Sequence, residues 1–524
     1  MSTATAAQTG VHPEPPWIIA VAVMLATFME VLDTTIVTVS MPHMAGNLSA
    51  TTDEATWVAT SYLVSNAVVL PASAWFSLRF GRKRFLISCI AIFTFASLLC
   101  GAAPTLGFLV LARVLQGAGG GALQPLAQAI LLESFPPSRR GQAMAAYGLG
   151  VVVAPVIGPV LGGWITDHYS WRWIFYINIP VGFLAISMIE RFVHDPPYIR
   201  DARPGRMDFV GLGLLVIMFA TLQVVLDKGQ EVDWFGAVWL RWFVLICVVA
   251  SLIFFIWELR VDKPIVNLRV LKNRNFAVGT ALITIMGVII YSPLTLLPQF
   301  LQNLMGYPAL NSGLAQSPRG LGALCIMPFV GILTGRVDNR KLIGCGFLLV
   351  GVSTFLLGDI NLHIAQTNIM LPNFVQGLGM PMIFVPLSTT TMAMLSNELM
   401  GSATGIYNLM RNVGGSLGIS ITTAMVARAA QGHQTILVSH LTPYDPAFTD
   451  RLHALHNSLA PSLGDVSARS VSEGMIYHSL VRQANVLAYV DNFRWLALIC
   501  VASVALVFLL RRPPAHHHPS AAAH

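Results

Sequence analysis

Charge is what this sequence has least of. Of its 524 residues only 10% are Asp, Glu, Lys or Arg, while 55% are hydrophobic. That balance lies far outside the usage of water-soluble domains and points to a chain that crosses a membrane many times. Cysteine is scarce too. Its six copies, Cys89, Cys100, Cys247, Cys325, Cys345 and Cys500, all fall inside apolar stretches, which argues against a disulfide framework or a metal cluster. A phosphate-cradling Gly-x-x-x-x-Gly-Lys loop is missing, so ATP hydrolysis by this chain is not expected. The start is polar and Pro-rich without a cleavable signal pattern, and the first apolar segment is expected to remain as an anchor. No cofactor and no metal are expected. The His-rich end, His516 to His518 with His524, reads as a disordered tail.

What the chain does have is apolar segments of membrane-crossing length, for which about 20 residues suffice. Fourteen are expected, at 17–41, 57–77, 85–103, 107–131, 142–165, 172–193, 208–227, 238–257, 276–299, 311–334, 342–360, 367–390, 402–427 and 493–510. Between them the basic residues alternate. Arg79, Arg82, Lys83 and Arg84 follow the second span, Arg139 and Arg140 the fourth, and Arg191, Arg200, Arg203 and Arg206 the sixth. Arg260 to Arg274, then Arg336, Arg340 and Lys341, and finally Arg511 and Arg512 keep the same parity. The intervening loops 42–56, 103–106, 302–310 and 361–366 hold no Lys or Arg. By the positive-inside rule the basic loops and both termini are expected to be cytoplasmic. The net charge of +7 is therefore a topology signal, and nucleic acid is not an expected partner.

Part of the chain is repeated. Gln116, Gly117 and Gly119 return 260 positions later as Gln376, Gly377 and Gly379. Gly141, Ala143, Tyr147, Leu149, Val153 and Gly158 return as Gly401, Ala403, Tyr407, Leu409, Val413 and Gly418. A duplicated apolar bundle is how many secondary transporters are built, with the site between the halves. The second span with its basic loop matches the tenth, eight spans on, so two helices (208–227 and 238–257, joined by Asp227 to Trp234) are inserted. The expected fold is all-α: an N-terminal tail 1–16, a six-helix bundle 17–193, and a linker 194–274 holding the inserted pair. A second six-helix bundle, 275–510, includes an extracytoplasmic loop 428–490, and a tail 511–524 follows.

Here the chain resembles the major facilitator superfamily, in particular its fourteen-helix drug:proton antiporters of the EmrB type. The first-span signature reads Leu32-Asp33-Thr34-Thr35-Ile36-Val37 and ends at Pro42. The fourth-span motif reads Arg113-Val114-Leu115-Gln116-Gly117, and the antiporter motif runs from Pro155-Val156-Ile157-Gly158-Pro159 to Gly162-Gly163. Trp171 to Pro180 adds a further mark. One departure is clear: the family loop after the second span carries a Gly and an Asp where this chain has Ala74 and Leu78, leaving Arg79, Gly81 and Arg82. An acidic latch to a neighbouring helix is not expected there, and gating contacts should rest more on Gly331, Gly335, Arg336 and Asp338 of the second copy.

A charge at mid-membrane is disfavoured by about 2.5–3.5 kcal/mol on insertion scales, so each one asks for a reason. Glu30 and Asp33 lie three residues apart on one helix face. Carboxyls held away from water and near each other take up a proton more readily, which makes them proton-coupling candidates; the resemblance supports Asp33 more than Glu30. The alternative for Asp33 is simple hydrogen bonding to helix neighbours such as Thr34. The resemblance also implies that Arg113 biases Asp33 between its two states. Arg411 occupies the repeat position of Val151 and is a candidate anchor for an anionic ligand; either Arg alternatively pairs with helix ends.

Pro155, Gly158, Pro159, Gly162 and Gly163 permit close helix packing and a bend. By the resemblance they also seal the empty carrier against proton leakage. Asn66, Gln124, Tyr291, Gln299, Gln376, Phe384, Tyr407 and Asn408 are candidates to line a greasy, weakly polar cavity, the alternative being polar glue between helices. Such a lining suits hydrophobic or amphipathic compounds, fatty acids included, and membrane lipids are its surroundings. The expected activity is proton-driven efflux across an inner membrane, with no enzymatic reaction. The rival is a proton-coupled symporter of a small metabolite on the same fold. The resemblance further implies that 428–490 faces a periplasmic membrane-fusion adaptor and, through it, an outer-membrane channel; a membrane-surface cover without a partner is the alternative.

Overall fold

In a bilayer every backbone N–H and C=O must be satisfied within the segment, so apolar stretches of this kind fold as helices. The computed structural model describes residues 15–136, 139–200, 207–229, 232–262, 264–334 and 336–511. Most of both expected tails, residues 201–206 of the linker, Gln230 and Glu231 of the expected turn, and Gly335 lie outside the described residues.

The first half comprises α1 (Pro16–Asn47), α2 (Trp57–Phe80), α3 (Arg82–Gly101), α4 (Leu106–Gly120), α5 (Leu123–Ser134), α6 (Arg140–His168) and α7 (Asn178–Phe192). The inserted pair is α8 (Phe209–Lys228) and α9 (Val238–Arg260). The second half comprises α10 (Arg274–Gln299), α11 (Ala309–Gln316), α12 (Pro318–Leu333), α13 (Asn339–Leu356), α14 (Gln366–Met392), α15 (Asn397–Val438), α16 (Pro446–Leu463) and α17 (Asp465–Val507). Local sequence sets the boundaries. Pro16 opens α1 where its missing N–H is harmless. Thr105 caps α4 by accepting from Phe108 N at 3.3 Å, and Asp338 caps α13 by accepting from Arg340 N at 3.2 Å.

The repeat is also a repeat of packing. α1 lies on α6 as α10 lies on α15, α2 on α4 as α12 on α14, and α3 on α4 as α13 on α14. Matched glycines make these approaches possible. Gly117 packs against the Tyr62 backbone and Gly377 against the Arg319 backbone. A Cβ on Gly119 would sit 2.7 Å from Phe93 N, and one on Gly379 would sit 2.9 Å from Gly346 O. The halves meet where α6 touches α12 and α14, and where α15 touches α2 and α5. α8 packs on α2 and α15, whereas only 17% of α9 is buried, leaving it as the outer, lipid-facing helix.

Two expectations change. Among the described residues twelve helices are long and apolar enough to cross a membrane, or thirteen with α6, which is bent by 41° between Pro155 and Ile157; this does not confirm the expected fourteen. The span expected at 311–334 is broken at Ser317 into α11 and α12, because Pro318 lacks the N–H that would continue the first ladder. The stretch 428–490 is helical rather than an irregular loop. α15 runs on to Val438, α16 folds back on α17, and α17 starts at Asp465, so the Pro443 to Pro446 turn is the hairpin's corner.

Candidate functional site

Two polar circuits run through the apolar interior. The first is centred on Asp33, which is fully buried on α1. Its carboxylate accepts from Arg113 Nη1 at 2.6 Å, from Gln116 Nε2 at 2.9 Å and from Asn178 Nδ2 at 2.9 Å. Arg113 also donates through Nε to Val58 O at 3.0 Å, with its guanidinium carbon 4.2 Å from the Tyr62 ring centroid. Ser97 Oγ accepts from both Gln116 and Asn178. Five helices of one half are thereby tied together, and Asp33 owes nothing to Thr34, whose hydroxyl donates to Val31 O at 2.7 Å.

The second circuit crosses between the halves. Glu30, one turn before Asp33 and 3% exposed, accepts from Gln124 Nε2 at 2.5 Å, Tyr62 Oη at 3.2 Å and Asn66 Nδ2 at 3.3 Å. Gln124 Oε1 in turn accepts from Arg411 Nη2 of α15. Arg411 Nε and Nη1 are buried with no partner. One turn along α5, Gln128 Oε1 accepts from Asn408 Nδ2 at 2.7 Å. Tyr147 stacks on Phe384 across the same seam, with centroids 6.0 Å apart.

A model of the Major Facilitator Superfamily matches residues 23–419. The chain belongs to the major facilitator superfamily. Within it, the chain groups with multidrug efflux permeases of the EmrB type. It is 34% identical to the Multidrug export protein EmrB of Haemophilus influenzae, over 95% of this chain and 96% of that one. It is 36% identical to the EmrB of Escherichia coli, over 88% and 90% of the two chains. The Fatty acid resistance protein FarB of Neisseria gonorrhoeae is 35% identical, over 94% and 95%. Among solved structures, the human organic anion transporter MFSD10 (TETRAN) superposes with a TM-score of 0.57 at 12% identity, covering 89% of this chain and all of that one; this likeness concerns the fold.

In this facilitator the expected site residues divide. Glu30, Asn66, Gln124 and Arg411 form one linked cluster, with Asn408 and Phe384 beside it on the seam. Tyr407 is buried on the same helix as Arg411, its hydroxyl 3.2 Å from Ser388 Oγ. Tyr291 is half-buried against Gly415. Gln299 is not part of the cluster: it ends α10, half-buried beside the π-turn Phe300–Leu304. Gln376 is fully buried on α14 with neither amide atom bonded. An apolar pocket of about 300 Å³ opens at the seam of α1, α6 and α12, lined by Met24, Phe28, Leu149, Val153 and Leu324.

The antiporter motif sits where α6 crosses α1. A Cβ on Gly162 would lie 2.6 Å from Ile36 Cγ1, and one on Gly158 would lie 3.0 Å from Thr35 Cβ. Gly163 is less confined, with Val39 3.9 Å away, and Pro155 and Pro159 lie at the bend and one turn beyond it. At the basic end of the molecule the expected lack of an acidic latch is corrected. Arg82, though without the family's Asp at Leu78, pairs with Glu133 of α5 at 2.7 Å and donates to Tyr198 Oη at 2.9 Å. Lys83 N donates to Asp195 Oδ1 at 2.8 Å. Acids from other elements thus close the latch. Burial pushes the Tyr198 phenol well above its ordinary value, so it stays neutral and donates to Glu133 Oε1 at 2.8 Å. Arg79 and Arg336 are exposed, and Asp338 serves as the α13 cap.

Sequence reasoning passed over Tyr62 and met Gln116 and Asn178 only as motif positions, although these neutral groups complete the circuits around Asp33 and Glu30. It also passed over Arg319 inside the expected span 311–334. For Arg319 the signal was present, a lone Arg in an apolar run.

Proposed function

We propose that this protein exports hydrophobic and amphipathic compounds, fatty acids among them, in exchange for protons across the inner membrane of its cell. Both termini then lie in the cytoplasm, and the α15–α17 hairpin meets a periplasmic membrane-fusion adaptor leading to an outer-membrane channel. The names of the EmrB and FarB relatives support the substrate class.

The carrying observation is that Glu30 contacts only neutral donors, one of which, Gln124, also holds Arg411 of the other half. Asp33 has a direct cationic partner, and a proton placed there would leave Arg113 buried without its counter-charge. A proton on Glu30 instead removes a buried charge that no cation touches. It also turns an acceptor of the Gln124 amide into a potential donor, so the Gln124 and Arg411 contact must rearrange. Asp33 is then the fixed anchor and Glu30 the exchanged site. Arg411, released from Gln124 and with two unpartnered nitrogens, is placed to take an anionic group of the substrate. Alternating access by rocking of the halves follows from a site built between repeats.

The test is gradient-driven export in proteoliposomes. A gradient of one pH unit supplies about 1.4 kcal/mol per proton, a roughly tenfold accumulation ratio. Wild type should reach that ratio for an amphipathic substrate and Glu30→Gln should stay near unity while still binding it. Equal ratios in the two proteins would remove Glu30 from the coupling.

A further inference from the structure

The repeat places a second buried guanidinium in the second half, without the acid that the first half provides. Arg319 stands on α12 where Tyr62 stands on α2, since the backbones of these two residues receive the matched glycines Gly377 and Gly117. Arg113 is matched 260 positions on by Asn373, and Gln116 by Gln376. In the first half the cation, the glutamine and a second amide, that of Asn178, converge on Asp33. In the second, Arg319 is 3% exposed, its Nη2 donates to Asn373 Oδ1 at 2.7 Å, and its Nε has no partner. Gln376, one turn beyond Asn373 on the same face of α14, is fully buried with both amide atoms unpartnered. Among the described residues no carboxylate lies within ion-pair distance of Arg319.

A buried guanidinium without an anion is strongly unfavourable, and a planar fork of donors matches a carboxylate or holds a halide. We propose that Arg319, with Asn373 and Gln376, forms an anion-binding site between α12 and α14 that takes a monovalent anion in place of the missing acid. Two sources offer that chemistry: the carboxylate head of an exported amphipath, or an inorganic halide. The first source rests on the export reading, and the second does not.

The experiment reads binding, so it is independent of whether export is observed. The unfolding midpoint of the purified full-length protein is followed during titration with sodium chloride, at ionic strength held constant by a bulky sulfonate salt. Sodium octanoate is titrated separately, with octanol as its uncharged control. Wild type should show a saturable rise with chloride, octanoate or both, and none specific to octanol. Arg319→Gln should weaken the apparent affinity roughly tenfold or more. Asn373→Asp, which supplies the carboxylate from the protein itself, should abolish the anion response and raise the anion-free midpoint. A response to chloride alone assigns the site to a resident counter-ion, and one to octanoate that chloride competes with assigns it to the substrate head. No saturable anion response in wild type, or an equal response in Arg319→Gln, overturns the site. Should Arg319→Gln not fold, an undiminished response in Asn373→Asp overturns it as well.

Discussion

Glu30 and Asp33 are one helical turn apart, yet their surroundings give them different work. Asp33 is met by one guanidinium and two amides, all within 3 Å, and every donor comes from the same half. Removing its charge leaves Arg113 buried and uncompensated, a change that typically costs about 3–5 kcal/mol. Asp33→Asn is therefore expected to lower the unfolding midpoint in detergent, and adding Arg113→Gln should recover most of the loss, since the pair is then replaced by neutral groups. A double variant no more stable than Asp33→Asn would show that the pair is not the source. Both acids and two of the three deep arginines, Arg113 and Arg411, are legible in the sequence because a charge in an apolar run stands out. Their assignment to separate circuits is not, because it depends on Gln116, Gln124 and Asn178, and a neutral amide inside a helix looks alike whether it faces an acid or a backbone.

Among the elements, α6 joins packing to function most directly. Gly158 and Gly162 bring its outer half onto α1 at Thr35 and Ile36, two and three residues beyond Asp33, and the 41° bend is where Pro155 removes a ladder bond. A side chain at Gly162 must displace Ile36. Gly162→Leu should destabilise the protein by about 1–3 kcal/mol and raise passive proton leak in substrate-free proteoliposomes. Normal stability together with a wild-type leak rate would mean that this crossing is not a seal. The helices themselves are legible because length and hydropathy suffice in a bilayer. The breaks are less so: Gly121 and Ala122 between α4 and α5, and Ser317 before Pro318, interrupt stretches whose composition is continuous. The 428–490 segment misleads for the converse reason, its polar content reading as loop although α15 and α17 extend past the apolar spans and pack directly on each other, with α16 folded onto α17. The latch at Arg82 was hidden because its acids, Glu133 and Asp195, are distant in sequence.

For the molecule as a whole, the repeat predicts two bodies that move as units, and the polar contacts say where they must part. Within each half the circuits are ionic or tightly packed by glycine. Across the seam the side-chain contacts include neutral amides and a ring stack, Asn408 to Gln128 at 2.7 Å and Tyr147 on Phe384 at 6.0 Å, together with the Arg411 to Gln124 bond, and Gly141 and Gly331 bring α6 close to α12. A single neutral hydrogen bond contributes about 0.5–1.5 kcal/mol net, so these contacts can be broken and remade in each cycle, whereas the Asp33 to Arg113 pair cannot without heavy loss. A covalent tie across the seam should therefore stop transport, and one within a half should not. With the six native cysteines replaced, a reducible short cross-linker between Gln128→Cys and Asn408→Cys is expected to abolish export, and reduction should restore it. The control joins Ser40→Cys to Thr166→Cys, positions whose hydroxyls lie 2.7 Å apart on α1 and α6 of the same half; cross-linked, it should export at the rate of its reduced form. Export that survives the tie between positions 128 and 408 would mean that α5 and α15 stay together through the cycle, and the moving boundary would then have to be sought elsewhere, at α6 against α12.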